Sequence, residues 1–132
     1  MKINHVFIIL FLILMICSCR YENLETESPC NRPLPDTVSF SAHVVPIFIS
    51  KCNDAGCHSG NNPKGKLNLE PGKAYEQLTK KEYVDIDEPS RSIIYTVLIS
   101  DHEQMPPPPQ TKLDDCSRKL ILKWIEQKAK NN

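Results

Sequence analysis

The sequence lacks an excess of charge of either sign. Its 16 lysines and arginines balance 16 aspartates and glutamates, so the formal net charge is zero. A nucleic-acid-binding domain needs a basic face, and we therefore expect no nucleic-acid partner. The 132 residues leave room for one small domain. Small domains usually depend on a disulfide, a metal or a cofactor for their stability.

The sequence also lacks an alternation of apolar and polar residues long enough to build a sheet. Apolar residues recur instead at helical spacing. A first helix is predicted from Ser39 or Ser41, either of which can cap it, to about Lys51. The predicted buried faces are Phe40, Val44, Ile47 and Phe48 in this helix; Ala74, Tyr75 and Leu78 after Pro71; Ile93, Ile94, Val97 and Leu98 after Pro89; and Leu113, Ser117, Leu120, Ile121, Trp124 and Ile125 around the cap Asp114. The pattern predicts an all-α fold of about four short helices with long loops.

No apolar run reaches the roughly 20 residues needed to span a bilayer. The run Val6 to Ile16 follows a charged start and precedes small residues, which is typical of a secretory signal. The end of this run resembles a bacterial lipoprotein signal, with Cys19 as the acylated first residue of the mature chain. Cys17 is the weaker choice because bulky Ile16 precedes it. We therefore expect residues 1–18 to be a signal peptide, with an uncleaved anchor helix or plain secretion as the alternative.

Residues 19–38 contain several glutamates and prolines and little apolar periodicity. This composition predicts a flexible tether that leads to a folded domain over residues 39–130. The expected location is the periplasm or the cell surface, with a lipid anchor in the outer membrane. Disulfides persist in such a compartment.

The stretch Cys52 to His58 carries the chemistry. Two cysteines followed directly by a histidine are typical of covalent haem attachment, in which the thiols form thioethers with the haem vinyl groups and the imidazole binds the iron. Four residues separate Cys52 from Cys57, whereas the usual motif has two. Residues five apart in a regular helix point away from each other. Residues 53–56 must therefore bulge outwards, and Gly56 can adopt a positive φ if the turn requires it.

Two other interpretations of this stretch remain. A Cys52–Cys57 disulfide would close a small loop. A zinc site is also considered, but adjacent Cys57 and His58 would have to bind one ion from diverging side chains, and no second pair stands at the usual zinc spacing.

Met105 is the preferred second iron ligand, because it precedes the proline run Pro106 to Pro109. Prolines have a restricted φ and no backbone donors, so the run would form a stiff wall that holds a thioether sulfur in place. His102 is a competing sixth ligand, and His43 is expected on the solvent side. Core packing of Met105, and a polyproline docking strip, are the interpretations without haem.

The order of these parts resembles the single-haem, class I-like cytochrome c domains common in bacterial outer-envelope proteins. The resemblance extends over roughly residues 39–130: first helix, haem attachment at Cys52 to His58, ligand loop at Met105-Pro106-Pro107, and a closing helix with Trp124-Ile125. Among c-type cytochromes, an attachment motif with four intervening residues is a known variant.

The resemblance implies a cytochrome c-like bundle around one covalent haem c. It assigns Cys52 and Cys57 to haem attachment, His58 to the proximal iron ligand and Met105 to the distal ligand. It also implies that the first and last helices cross beside the haem, with Phe48 or Val44 near Leu120 and Trp124. Methionine ligation favours Fe(II) and predicts a relatively positive reduction potential.

Cys30 and Cys116 are the cysteines left over in the mature chain. They are expected to form a disulfide that pins the tether to the last helix, or else to be two free thiols.

We expect an electron carrier that meets redox partner proteins of the cell envelope and is not an enzyme by itself, because the sequence shows no acid–base pair or nucleophile arrangement. The alternatives are a haem-bearing accessory or sensing module and a non-haem envelope interaction domain stapled by disulfides.

Overall fold

A computed structural model describes residues 33–80 and 82–132 of the chain. A π-helical turn, Phe40–Val44, leads directly into helix α1, Val45–Lys51. Three further helices follow: α2 Ala74–Lys80, α3 Ile93–Ile99 and α4 Asp115–Glu126. Short 3₁₀ turns occur at Lys64–Lys66 and Pro89–Arg91. The described residues contain no strand, and the prediction of a small all-α fold is confirmed.

The first helical segment begins where the sequence predicts it. The Ser39 hydroxyl oxygen accepts a hydrogen bond from Ala42 N at 3.2 Å and caps the π-helical turn. Pro46 stands in the first turn of α1, directly after the π-helical turn. The predicted apolar face of four residues is buried throughout.

Helix α2 begins three residues after Pro71, because Lys73 N and Ala74 N both bond to Glu70 O in a turn. Its predicted face is confirmed: Ala74 and Leu78 are buried and Tyr75 is half-buried.

Helix α3 is separated from the turn at Pro89 by buried Ser92, whose hydroxyl exchanges hydrogen bonds with Asp85. Ile94 and Leu98 are buried as predicted. The prediction that Ile93 is buried is wrong, because 49% of its surface is exposed. Ile93 lines a cavity that is open to solvent.

Helix α4 organises the core. Asp114 Oδ1 accepts a hydrogen bond from Ser117 N at 2.9 Å, which confirms the predicted cap. All six predicted face residues are buried. The helix packs against the π-helical turn and α3, and the Phe40 ring lies 4.8 Å from the Trp124 ring, centroid to centroid. The first and last helical segments therefore meet, as expected, with Phe40 as the residue that stacks on Trp124.

The folded part of the chain begins before Ser39, so the tether prediction is wrong at its C-terminal end. Val38 is only 1% exposed. Its N–H donates to Gln127 Oε1 at 2.8 Å, while Gln127 Nε2 donates to Asp36 O at 2.6 Å. One amide side chain at the end of α4 thus fixes the segment that enters the domain. Among the described residues, no helix has the length and apolarity to cross a membrane.

Candidate functional site

The predicted outward bulge is present between Cys52 and Cys57. Cys52 ends α1 and donates its N–H to Phe48 O at 2.9 Å. The chain then turns back, because Cys57 N bonds to Asp54 O at 2.9 Å and His58 N bonds to Cys52 O at 3.1 Å. Gly56 has a φ of +82°, the left-handed conformation that glycine adopts at no steric cost. Asp54 to Gly56 are exposed, whereas both cysteines line one cavity.

Cys52 and Cys57 are free thiols, so the alternative of a disulfide between them is wrong for this structure. Burial, with smaller contributions from Cys57 and Asp54, raises the pKa of the Cys52 thiol to about 11. This sulfur is therefore protonated at neutral pH and is not an activated nucleophile. The residues described here also contain no group of three or more histidine, cysteine or acidic side chains that could hold a metal ion, which argues against the zinc interpretation.

The imidazole of His58 is held by the backbone that follows it. Nδ1 lies 3.0 Å from Leu67 O. A carbonyl oxygen only accepts, so Nδ1 carries the proton and the lone pair of the neutral ring is on Nε2. A hydrogen bond of this kind orients the imidazole ring. Nε2 is thus the ring nitrogen that can still accept a bond.

The segment from His58 to Glu70 is tied to the attachment loop by further hydrogen bonds. Leu69 N donates to His58 O at 2.8 Å, and Asn53 Nδ2 donates to Leu69 O at 2.9 Å. Glu70 accepts from Gly60 N at 3.1 Å and from Asn68 Nδ2 at 3.1 Å. The hydrogen bond from Lys73, followed by those from Gly60 and Asn68, lowers the pKa of Glu70 to about 2. These contacts fix the carbonyl that orients His58.

Met105 enters the same site from the other end of the domain. Its N–H donates to Val97 O in α3 at 2.9 Å. Its side chain lines the cavity and is 39% exposed. Pro106 is buried behind it and, with Pro107, forms part of the cavity wall.

The cavity brings together the four residues predicted to hold haem: Cys52, Cys57, His58 and Met105. The remaining wall is mainly apolar and includes Phe48, Leu67, Leu69, Ile93, Ile94, Val97, Leu98, Leu113 and Ile121. The cavity has a volume of about 240 Å³ and is open to solvent, whereas a cavity that holds a single water needs only ~10–15 Å³ on this measure. An open, apolar cleft of this kind suits an organic group with one edge at the surface.

The two competing histidines lie elsewhere. His43 Nδ1 accepts a hydrogen bond from Ser39 N at 2.8 Å at the start of the π-helical turn. His102 is exposed, and neither ring lines the cavity. Met105 therefore shares a cavity with the attachment stretch, and His102 does not.

Sequence reasoning missed part of the wall. Leu67 and Leu69 flank Asn68, and residues two apart in an extended chain face the same side. That alternation is the signal that would have placed both leucines on the cavity. Tyr83, Lys64 and Gln110 also line it, and no local pattern marks them.

Cys116 is buried and disulfide-bonded. This contradicts the alternative that Cys30 and Cys116 are two free thiols. Cys52 and Cys57 are not its partner, since both are free. Cys30, the expected partner, and Cys19, the expected lipidation site, lie outside the described residues, as does the predicted signal peptide.

Comparison with known proteins gives no relative: no family model, no curated protein and no solved structure matches the chain.

Proposed function

We propose that the protein is a cytochrome c-like electron carrier with one covalently bound haem c. The observation that carries the proposal is that a single apolar cavity collects two free thiols, an imidazole with its Nε2 lone pair available, and a methionine thioether. The thiols and the imidazole come from one loop, whereas Met105 comes from a segment some fifty residues later in the chain. These residue types correspond to two vinyl attachments and two axial ligands.

In this proposal, Cys52 and Cys57 hold the haem by thioether bonds, His58 Nε2 is the proximal ligand and Met105 Sδ is the distal ligand. When bound, the haem supplies reversible one-electron chemistry at its iron. With both axial positions filled, no coordination site is open to a substrate. The role of the chain is then to carry electrons, not to catalyse a reaction of its own.

The surroundings of the site favour a relatively positive potential. A thioether ligand stabilises Fe(II), and an apolar wall disfavours the extra charge of Fe(III). Phe48, Leu98 and Ile121 supply such a wall. The bond from His58 Nδ1 to Leu67 O orients the imidazole, and its acceptor is a neutral carbonyl.

The proposed location follows from the same chemistry. Thioether attachment of haem takes place outside the cytoplasm, which agrees with a signal peptide over residues 1–18 and a lipid anchor at Cys19. The partners would be redox proteins of the cell envelope.

Expression with a cytochrome c maturation system tests the proposal. We expect the purified chain to retain one haem on a denaturing gel, seen by haem stain and by mass. Cys52→Ser/Cys57→Ser should lose the stain, because both thioethers are gone. His102→Ala is the matched control and should keep it, because its exposed ring is outside the cavity. Wild-type protein that is folded, disulfide-bonded and haem-free under these conditions would overturn the proposal and favour a non-haem interaction domain.

A further inference from the structure

The proline run that follows Met105 has no backbone N–H donors of its own. Residues 106–109 are four prolines, which supply carbonyl acceptors but no N–H donors. Donors for these carbonyls must therefore come from outside the run. At its C-terminal end, Gln110 N donates to Pro107 O at 3.1 Å.

Gln104 supplies a donor at the other end of the proline run, next to Met105. Its Nε2 atom donates to Pro106 O at 2.8 Å and to Gln110 O at 3.3 Å. The side chain thus reaches past Met105 and joins the two ends of the proline run. Because both partners are carbonyl oxygens, only the NH₂ group of the amide can make these bonds.

Met105 itself is fixed at one backbone point. Its N–H bonds to Val97 O of α3 at 2.9 Å, and the residue that follows is bonded to Gln104. The main chain on both sides of Met105 is therefore held, although its side chain is 39% exposed at the cavity mouth. A flexible, unbranched methionine side chain has no preferred geometry of its own, so its direction depends on this backbone.

We propose that Gln104 is the positioning residue that presents the Met105 thioether to the cavity. This inference rests on the proposed function, because it assumes an iron at the place to which Met105 is presented. Gln104 itself contacts the loop backbone and acts only through Met105. Loss of its two hydrogen bonds leaves the Pro106 and Gln110 carbonyls without this partner. Met105 is then held less firmly, and an added ligand competes better with it for the iron.

Gln104→Glu and Gln104→Ala test the inference. The glutamate variant keeps the shape of the side chain and removes both donors, and the alanine variant removes them without adding charge. Thr111→Glu is the matched control, since Thr111 is exposed and outside the cavity wall, and the change adds the same charge to the same loop and leaves the Gln104 donors in place. Each protein is matured with haem, and the affinity of the oxidised form for imidazole is measured together with the methionine–iron charge-transfer absorption band.

We expect both Gln104 variants to bind imidazole about tenfold more tightly than the wild type, equivalent to about 1.4 kcal/mol, and to show a weaker charge-transfer band. Thr111→Glu should resemble the wild type. Variants of Gln104 with wild-type affinity and band would overturn the inference while the proposed function stands. The inference is equally overturned if haem attachment is lost only in these variants, because Gln104 would then serve folding. A wild type without covalent haem overturns the proposed function itself.

Discussion

At the scale of single residues, the hydrogen bond from His58 Nδ1 to Leu67 O determines which nitrogen of the imidazole carries the proton. It leaves Nε2 as the only ring nitrogen with a lone pair in the neutral form. Burial, followed by the nearby Cys57 and Asp54, likewise raises the pKa of the Cys52 thiol. Each feature is set by one or two contacts. None can be seen from the residue types alone.

Met105 offers the prediction that separates a carrier from a sensing module. With Met105 bound to iron, the reduced wild type should bind carbon monoxide poorly. Met105→Ala opens the position, so carbon monoxide should bind at least tenfold more tightly and the reduction potential should fall, because the thioether no longer favours Fe(II). Reduced spectra with and without carbon monoxide measure this effect.

His43→Ala is the control for the methionine variant, because its ring accepts from Ser39 N far from the cavity wall. A wild type that takes up carbon monoxide as readily as Met105→Ala would show that Met105 is not a permanent ligand and would support the sensing alternative.

At the scale of elements, α4 shows how a cap and a buried face act together. Asp114 bonds to Ser117 twice, through N at 2.9 Å and through the hydroxyl at 2.6 Å. The helix that Asp114 caps contributes Trp124, which is fully buried, to the core. Loss of the cap therefore affects a helix on which the π-helical turn and α3 both pack.

Asp114→Ala should lower the free energy of unfolding by about 1–2 kcal/mol, the usual loss for a helix N-cap, because Ser117 N and the buried Ser117 hydroxyl lose their acceptor. Urea unfolding measures the change. Asp115→Ala is the matched control: the neighbouring carboxylate forms exposed ion pairs with Lys119 and Arg118, which contribute little. An equal loss in both variants would contradict the cap as the cause.

At the scale of the whole molecule, the cavity is where the fold leaves apolar side chains uncovered. The core is continuous from Val38 to Ala129, but large apolar side chains such as Ile93 and Met105 remain exposed where the cavity opens. Small domains have little spare core. A bound apolar group would cover this wall and add to the stability of the domain.

Haem attachment should therefore stabilise the domain substantially. Covering each ~100 Å² of apolar wall contributes about 2.5 kcal/mol, so matured protein should unfold at clearly higher urea concentration than haem-free protein. The haem-free form should also bind a hydrophobic dye at the open cavity. Cys52→Ser/Cys57→Ser, expressed with the maturation system, serves as the control and should behave as the haem-free form. Equal stability of the two forms would mean that the haem does not pack in this cavity.

Much of the fold was predictable because its signals are local. The apolar spacing of Phe40 to Phe48, the cap at Asp114 and the positive φ at Gly56 each depend on a few neighbouring residues. The errors came from contacts across the chain. Val38 is buried because Gln127 holds it, and Ile93 is exposed because it borders a cavity rather than the core.

The sequence by itself determined the helices, the spacing of Cys52 and Cys57, and the need for a bulge between them, since all of these follow from backbone geometry over short distances. Only the tertiary structure decided that Met105 shares a cavity with His58 while His102 does not, because that depends on how α3 and α4 pack. The structure also shows that the Leu67 carbonyl fixes the imidazole and that the Gln104 amide bonds to the methionine loop.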